Sequence, residues 1–151
     1  MGYNGELANY GEEMILNAIF TGDLTELPDQ LYLGLATEEI DDPDTLESVF
    51  EVTDDGYKRE EINFLKPVQL NEDGEEDEDG MSTVYNENLV KFGPWNEDAE
   101  ADVVAAFITD SPEGVDDGGV IVYYNFKDDS RYPAINEAIK VLEESLSHKI
   151  D

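Results

Sequence analysis

Positive charge is the scarcest material in this chain. Its 151 residues hold 8 Lys+Arg and a single His against 39 Asp+Glu, for a formal net charge of -31. Two Arg and six Lys form no basic stripe that could dock a phosphate backbone, and the field of the whole molecule repels nucleic acid and anionic lipid alike. Neither nucleic acid nor membrane is therefore an expected partner. Cysteine is absent, which excludes disulfides and thiolate metal sites. No apolar run approaches the ~20 residues of a membrane span. The opening residues Met1 to Glu6 also lack the basic start of a signal peptide. There is no P-loop, dinucleotide glycine fingerprint or nucleophile elbow. The one histidine, His148, stands three residues from the end and is expected on the surface of a fraying helix. Any two of 39 acids can meet in space, so paired carboxylates carry no specificity for acid–base chemistry. The chain is expected to be no enzyme and to need no cofactor.

What is abundant is acid, spread through almost every segment. Smearing the net charge over a folded sphere of radius about 19 Å gives a self-repulsion of roughly 30 kcal/mol at physiological ionic strength. In 1 M salt this falls to about 14 kcal/mol as the screening length shrinks. Part of it is shared by the unfolded chain, but an ordinary domain is stable by only ~5–15 kcal/mol. The expectation is a halophilic protein. A disordered acidic tail is ruled against by content: hydrophobics make up 40% of the chain, with 8 Tyr, 6 Phe and 1 Trp, gathered into periodic blocks. One domain over residues 1–151 is expected, interrupted by one acidic loop.

Along the chain, Leu7, Tyr10, Met14, Ile15, Ala18 and Ile19 share one helical face and predict a helix over 5–20. Leu31–Ala36 reads as a buried strand, residues 44–50 as a short helix or turn, and Thr53–Gly56 as a turn with Tyr57 at its pivot. Residues 71–80 form a solvated hairpin tip or a disordered loop. Ser82–Leu89 and Val90–Trp95 restore the apolar pattern. Val103–Thr109 and Gly119–Phe126 are the strongest strands, joined by a Pro/Gly loop into an antiparallel pair. Pro133 starts a predicted second helix, with Ile135, Ala138, Ile139, Leu142 and Leu146 on one stripe. The total is helix, about six strands, helix: an α+β, mainly β chain.

Few residues stand out as candidate sites. Aligning Gly80 with the glycine of a calcium loop places Glu75, Asp77 and Asp79 at ligand positions. Position twelve then falls on Asn86, so metal binding has only these three weak candidates. Lys58-Arg59 is the one adjacent basic pair. Trp95 reads as a core or interface anchor. Tyr123 and Tyr124 must point to opposite faces of a strand, one into the core and the other to a rim or subunit contact.

Five blocks in this order carry a resemblance. They are Leu31–Thr37, Asp41-Asp42-Pro43, Glu51-Val52 through Asp55-Gly56-Tyr57-Lys58-Arg59, Phe92 to Asp110, and Gly118 to Phe126. Together they resemble the small head-fibre or tail-fibre-like virion proteins of tailed phages, over roughly residues 7–126. The resemblance implies an antiparallel β-sandwich-like virion subunit, here with an N-terminal and a C-terminal helix. Two departures stand against it. Family members finish with a strand where 133–148 reads as a helix, and the 71–80 insertion is more acidic than its counterparts. Joined to the acidity, the resemblance points to a tailed virus of a haloarchaeon, with the protein made in the cytoplasm of a high-salt host and residing in the virion.

The first functional expectation is a capsid-associated decoration, vertex or turret protein. It would dock on the major capsid protein and on copies of itself as a cyclic homo-oligomer, through Tyr57, Lys58, Arg59, Phe92, Trp95, Tyr123 and Tyr124. The alternatives are a tail, baseplate or receptor-contacting fibre component and, from another class, a small halophilic cellular binding module.

Overall fold

The computed structural model describes residues 3–150; Met1, Gly2 and Asp151 lie outside them. The architecture is built around one five-stranded sheet. Its strands are β2 (Glu6–Leu7), β3 (Leu31–Ala36), β4 (Glu60–Ile62), β8 (Ala105–Thr109) and β9 (Val120–Asn125), in the order β2-β9-β8-β3-β4 with every neighbouring pair antiparallel. A four-stranded sheet runs β1-β11-β6-β5, from β1 (Tyr3–Asn4), β5 (Val68–Leu70), β6 (Met81–Tyr85) and β11 (Leu146–Ile150). A two-stranded ribbon pairs β7 (Val90–Phe92) with β10 (Ile139–Val141). The sole α-helix among the described residues is α1 (Asn9–Leu16), continued by a π turn over Asn17–Thr21. It is too short to cross a membrane.

The two predicted strong strands are β8 and β9, adjacent and antiparallel as expected. Every residue of β8 is buried, because the central sheet is covered on both faces. On one face Leu35, Ala106, Ile108 and Tyr124 pack with Phe92 and Trp95 and with Leu146 of β11. On the other, Ala105, Phe107 and Tyr123 pack against Ala8 at the base of α1 and against Ile40, Leu46 and Val49. Tyr123 and Tyr124 thus point to opposite faces as the strand period requires, but both are core residues, 5% and 1% exposed. The apolar run of β3 contains Gly34 for a steric reason: a Cβ there would lie 2.4 Å from the Phe107 ring. At the predicted 53–56 turn Gly56 takes φ 98°, a conformation side chains resist.

Both predicted helices need correction. The first is shorter than 5–20: residues 3–7 pair as strands with β11 and β9, and Ile19 is exposed rather than on a buried face. The C-terminal helix does not form at all. Asn136 and Glu144 sit at φ 69° and 60°, outside helical geometry, and the segment becomes β10 and β11. Asn86 explains the choice. It is fully buried, its amide nitrogen donates to the carbonyls of Leu142 (2.8 Å) and Asn88 (3.0 Å), and its side-chain oxygen accepts from Leu146 N–H (2.8 Å). Its backbone adds bonds to Leu146 and Glu144. These distant partners override a helical stripe worth only tenths of a kcal/mol per residue. His148 consequently lies half-buried in a strand, its Nδ1 2.9 Å from the Gly5 carbonyl.

Asn86→Ala strands the buried Leu146 N–H and leaves the Leu142 carbonyl to Ser145 alone. The expected loss is roughly 1–3 kcal/mol in denaturant unfolding, with amide exchange accelerated first across Leu142–Ile150.

Candidate functional site

A chain this acidic has few cations to offer its carboxylates, and several accept from aromatic side chains instead, among them the part-buried Glu51, Asp54 and Asp110 and the exposed Glu6, Asp42 and Asp129. Tyr10 donates to Asp110 (2.7 Å), Tyr57 to Glu51 (2.6 Å) and Tyr3 to Asp129 (2.5 Å). The Tyr123 hydroxyl lies between Asp42 (2.5 Å) and Glu6 (3.0 Å). Trp95 is wholly buried and donates its indole N–H to Asp54 (2.9 Å). A neutral donor gives the carboxylate its bond without requiring a second charge to be desolvated.

Arg59 is the exception. The sequence placed it with Tyr57 and Lys58 on a docking surface; the structure buries it. Its guanidinium forms a two-pronged pair with Glu51 (Nε to Oε2 2.9 Å, Nη2 to Oε1 2.8 Å) and donates to the carbonyls of Ser111 (3.0 Å) and Gly114 (2.8 Å). It also lies 5.6 Å from the centre of the Phe107 ring. Arg59 therefore ties the 111–114 loop to the strand region at Glu51, and its charge is consumed inside the fold. Tyr57 accepts the Leu35 N–H and stacks on Phe92, 5.9 Å between ring centres. Of the proposed trio only Lys58 is fully outward, 80% exposed, with Glu60 at 3.8 Å. Phe92, Trp95, Tyr123 and Tyr124 are likewise inside the protomer. Tyr124 leaves its hydroxyl buried with no hydrogen-bond partner among the described residues.

The acidic 71–80 segment is the tip of the β5–β6 hairpin, folded by its own side chains. Asn71 Oδ1 accepts the N–H groups of Asp73 and Glu75, and Asp77 Oδ1 accepts that of Asp79. Among the described residues no three acidic or histidine side chains are gathered to hold a metal ion, so Glu75, Asp77 and Asp79 are not brought into a ligand set.

The surface carries two features that the sequence reading missed. One is an exposed apolar arm formed by the end of α1 and the turn after it, with Leu16, Ile19, Phe20, Leu24 and Leu27 all outward. A helical pattern running past Leu16 hid it, since period alone cannot tell a core face from an uncovered one. The other is a cleft of about 200 Å³ between the ribbon, β11 and the central sheet. Leu35, Ala106, Phe126, Ile139, Val141 and Leu146 wall it, and Asp129, Arg131 and Lys140 stand among its lining. It joins residues more than 100 positions apart, and no local signal marks it.

The sequence pattern of the family Podophage GP4 fiber I protein gp80 matches this chain over residues 6–148. No curated protein matches it at a significant level.

Burial raises the hydroxyl pKa of Tyr10, Tyr57 and Tyr123, helped by the adjacent carboxylates, and burial alone raises that of Tyr124. A raised value means the folded chain holds these protons more tightly than the unfolded one. Their stabilisation is complete below about pH 10 and is lost as pH rises beyond it. In an alkaline titration followed by phenolate absorbance, these tyrosines are expected to ionise together with unfolding rather than before it.

Proposed function

The chain belongs to the family of Podophage GP4 fiber I protein gp80, and from that membership we propose that it is a non-enzymatic structural subunit of a fibre on a tailed-virus particle. The match over residues 6–148 carries this reading. The fibre placement stands ahead of the capsid decoration, vertex or turret role expected from the sequence, because the family is described as one of fibre proteins. The arrangement of side chains fits a part that works by contact. Its aromatic residues close two cores, its buried arginine and tyrosines hold loops in place, and its apolar surplus is displayed on the outside. Its partners on this reading are further copies of itself and neighbouring virion proteins.

Halophily belongs to the same proposal. Only two ion pairs form among the described residues, Lys58–Glu60 and Arg59–Glu51, so nearly all of the 39 acids have no cation beside them to offset their mutual repulsion. Concentrated salt screens that repulsion, and a hydrated carboxylate surface keeps a many-copy particle dispersed in brine.

Quantitative mass spectrometry of purified particles should find the protein in a fixed, multi-copy ratio to the major capsid protein. Labelled antibody should decorate projecting fibres rather than the shell lattice. Absence from particles would falsify the virion assignment, and uniform shell labelling would restore the decoration role. Separately, the thermal midpoint of the isolated protein should climb steeply between about 0.15 M and about 3 M KCl. A flat salt response sinks the halophilic reading alone.

A further inference from the structure

Large apolar side chains crowd the surface at one place. Leu16, Ile19, Phe20, Leu24 and Leu27 are 55, 69, 77, 61 and 44% exposed. Together they present roughly 600 Å² of apolar surface, the upper end for the largest patch on a monomer and most of the ~800 Å² that one side of a stable interface buries. The arm is shaped before any partner arrives. Thr21 bonds to the Asn17 carbonyl at 2.6 Å, Asp23 accepts from both the N–H and the hydroxyl of Thr25, and Gly22 turns the chain at φ 71°. Its charge is purely negative: Asp23, Glu26 and Asp29 flank the apolar residues, and no Lys or Arg occurs before Lys58. Two such arms brought face to face would repel each other.

The cleft offers the complementary surface. Its walls are apolar and its volume of about 200 Å³ has room for an aromatic side chain. Arg131 and Lys140 border it, and Asp129 there already accepts the Tyr3 hydroxyl. Lys91 is directly opposite Lys140 across the ribbon, both outward. Like charges so placed are unfavourable by themselves, and neither has an ion-pair partner among the described residues. Two of the chain's eight basic residues, Arg131 and Lys140, thus stand among the lining of one apolar opening. Leu142, 58% exposed, adds an apolar lip.

We propose that a second copy of this chain fills the cleft: the arm over residues 16–27 of one subunit seats between the ribbon and the sheets of the next, its acids meeting Arg131 and Lys140. The inference rests on the fibre reading and deepens it by naming the contact between copies. Arm and cleft leave the protomer from different faces. Ala8, at the base of α1, packs in the second core, whereas the cleft walls Leu35, Ala106 and Leu146 belong to the first. A contact between two unlike surfaces is head to tail, and it propagates into a ring if the rotation closes or a filament if it does not.

Sedimentation velocity on the full chain and two exposed-site variants tests this, with folding checked by circular dichroism. Phe20→Asp disables the arm and Leu142→Asp the cleft. Each alone is expected to raise the dissociation constant between copies about thirtyfold or more, leaving monomers at concentrations where the parent chain assembles. An equimolar mixture of the two should give a dimer and nothing larger, since one intact arm and one intact cleft remain. A contact between identical patches cannot produce that result. If Phe20→Asp does not fold, Leu24→Asp reads the same surface. Variants that assemble as the parent does overturn the inference and leave the fibre reading standing. A parent chain that stays monomeric in low and high salt also overturns it, and the fibre reading falls with it only if purified particles lack the protein.

Discussion

Carboxylates far outnumber cations in this chain, so the acids that the fold holds in place take other donors. The solution repeated across the fold is the phenol or indole group: Tyr3, Tyr10, Tyr57, Tyr123 and Trp95 each hold an Asp or Glu, and all but the local Tyr57–Glu51 bond join segments distant in sequence. Tyr123 reaches from the second core to Asp42 and Glu6, joining the central sheet to both the 40s loop and the first strands. Trp95 reaches through the first core to Asp54. Where a cation is used, at Arg59, it is shared among Glu51, Ser111 and Gly114, because a buried guanidinium with idle donors would destabilise the fold. The aromatic residues thus serve two ends at once, filling the cores with their rings and settling the acids with their polar tips.

That dual service explains why the interface residues expected from sequence are interior ones. An aromatic near a turn and an adjacent basic pair look the same in a string of letters whether they face a partner or a buried carboxylate. What decides is the location of Glu51, Asp54 and Asp42, which no local pattern gives away in a chain where acids are everywhere. The strands were legible because their signals are local: β3, β8 and β9 are short apolar runs bounded by turn residues. The hairpin tip at 71–80 was legible for the opposite reason, being unable to bury anything.

The C-terminal segment was illegible on its own terms. Its apolar spacing fits a helix, yet Asn86, some 60 residues earlier, holds its turn and accepts its strand. The final strand of fibre-type virion proteins is expected from the sequence to be missing here, replaced by a helix over 133–148; β11 supplies it. The arm after α1 shows the same limit: a sequence displays the apolar stripe, but only the packed structure shows that nothing among the described residues covers it.

The two ends of the described chain are side by side. Tyr3 and Asn4 pair in parallel with Leu146 and Ser147, and Tyr3 and Leu146 both help to line the cleft. During synthesis Tyr3 and Asn4 must therefore wait for this pairing until Leu146 and Ser147 have left the ribosome. The cleft comes into being only once residues 139–146 have been made. A subunit cut short by premature termination would carry the arm but no receptacle, and on the proposed scheme it would cap a growing assembly instead of extending it.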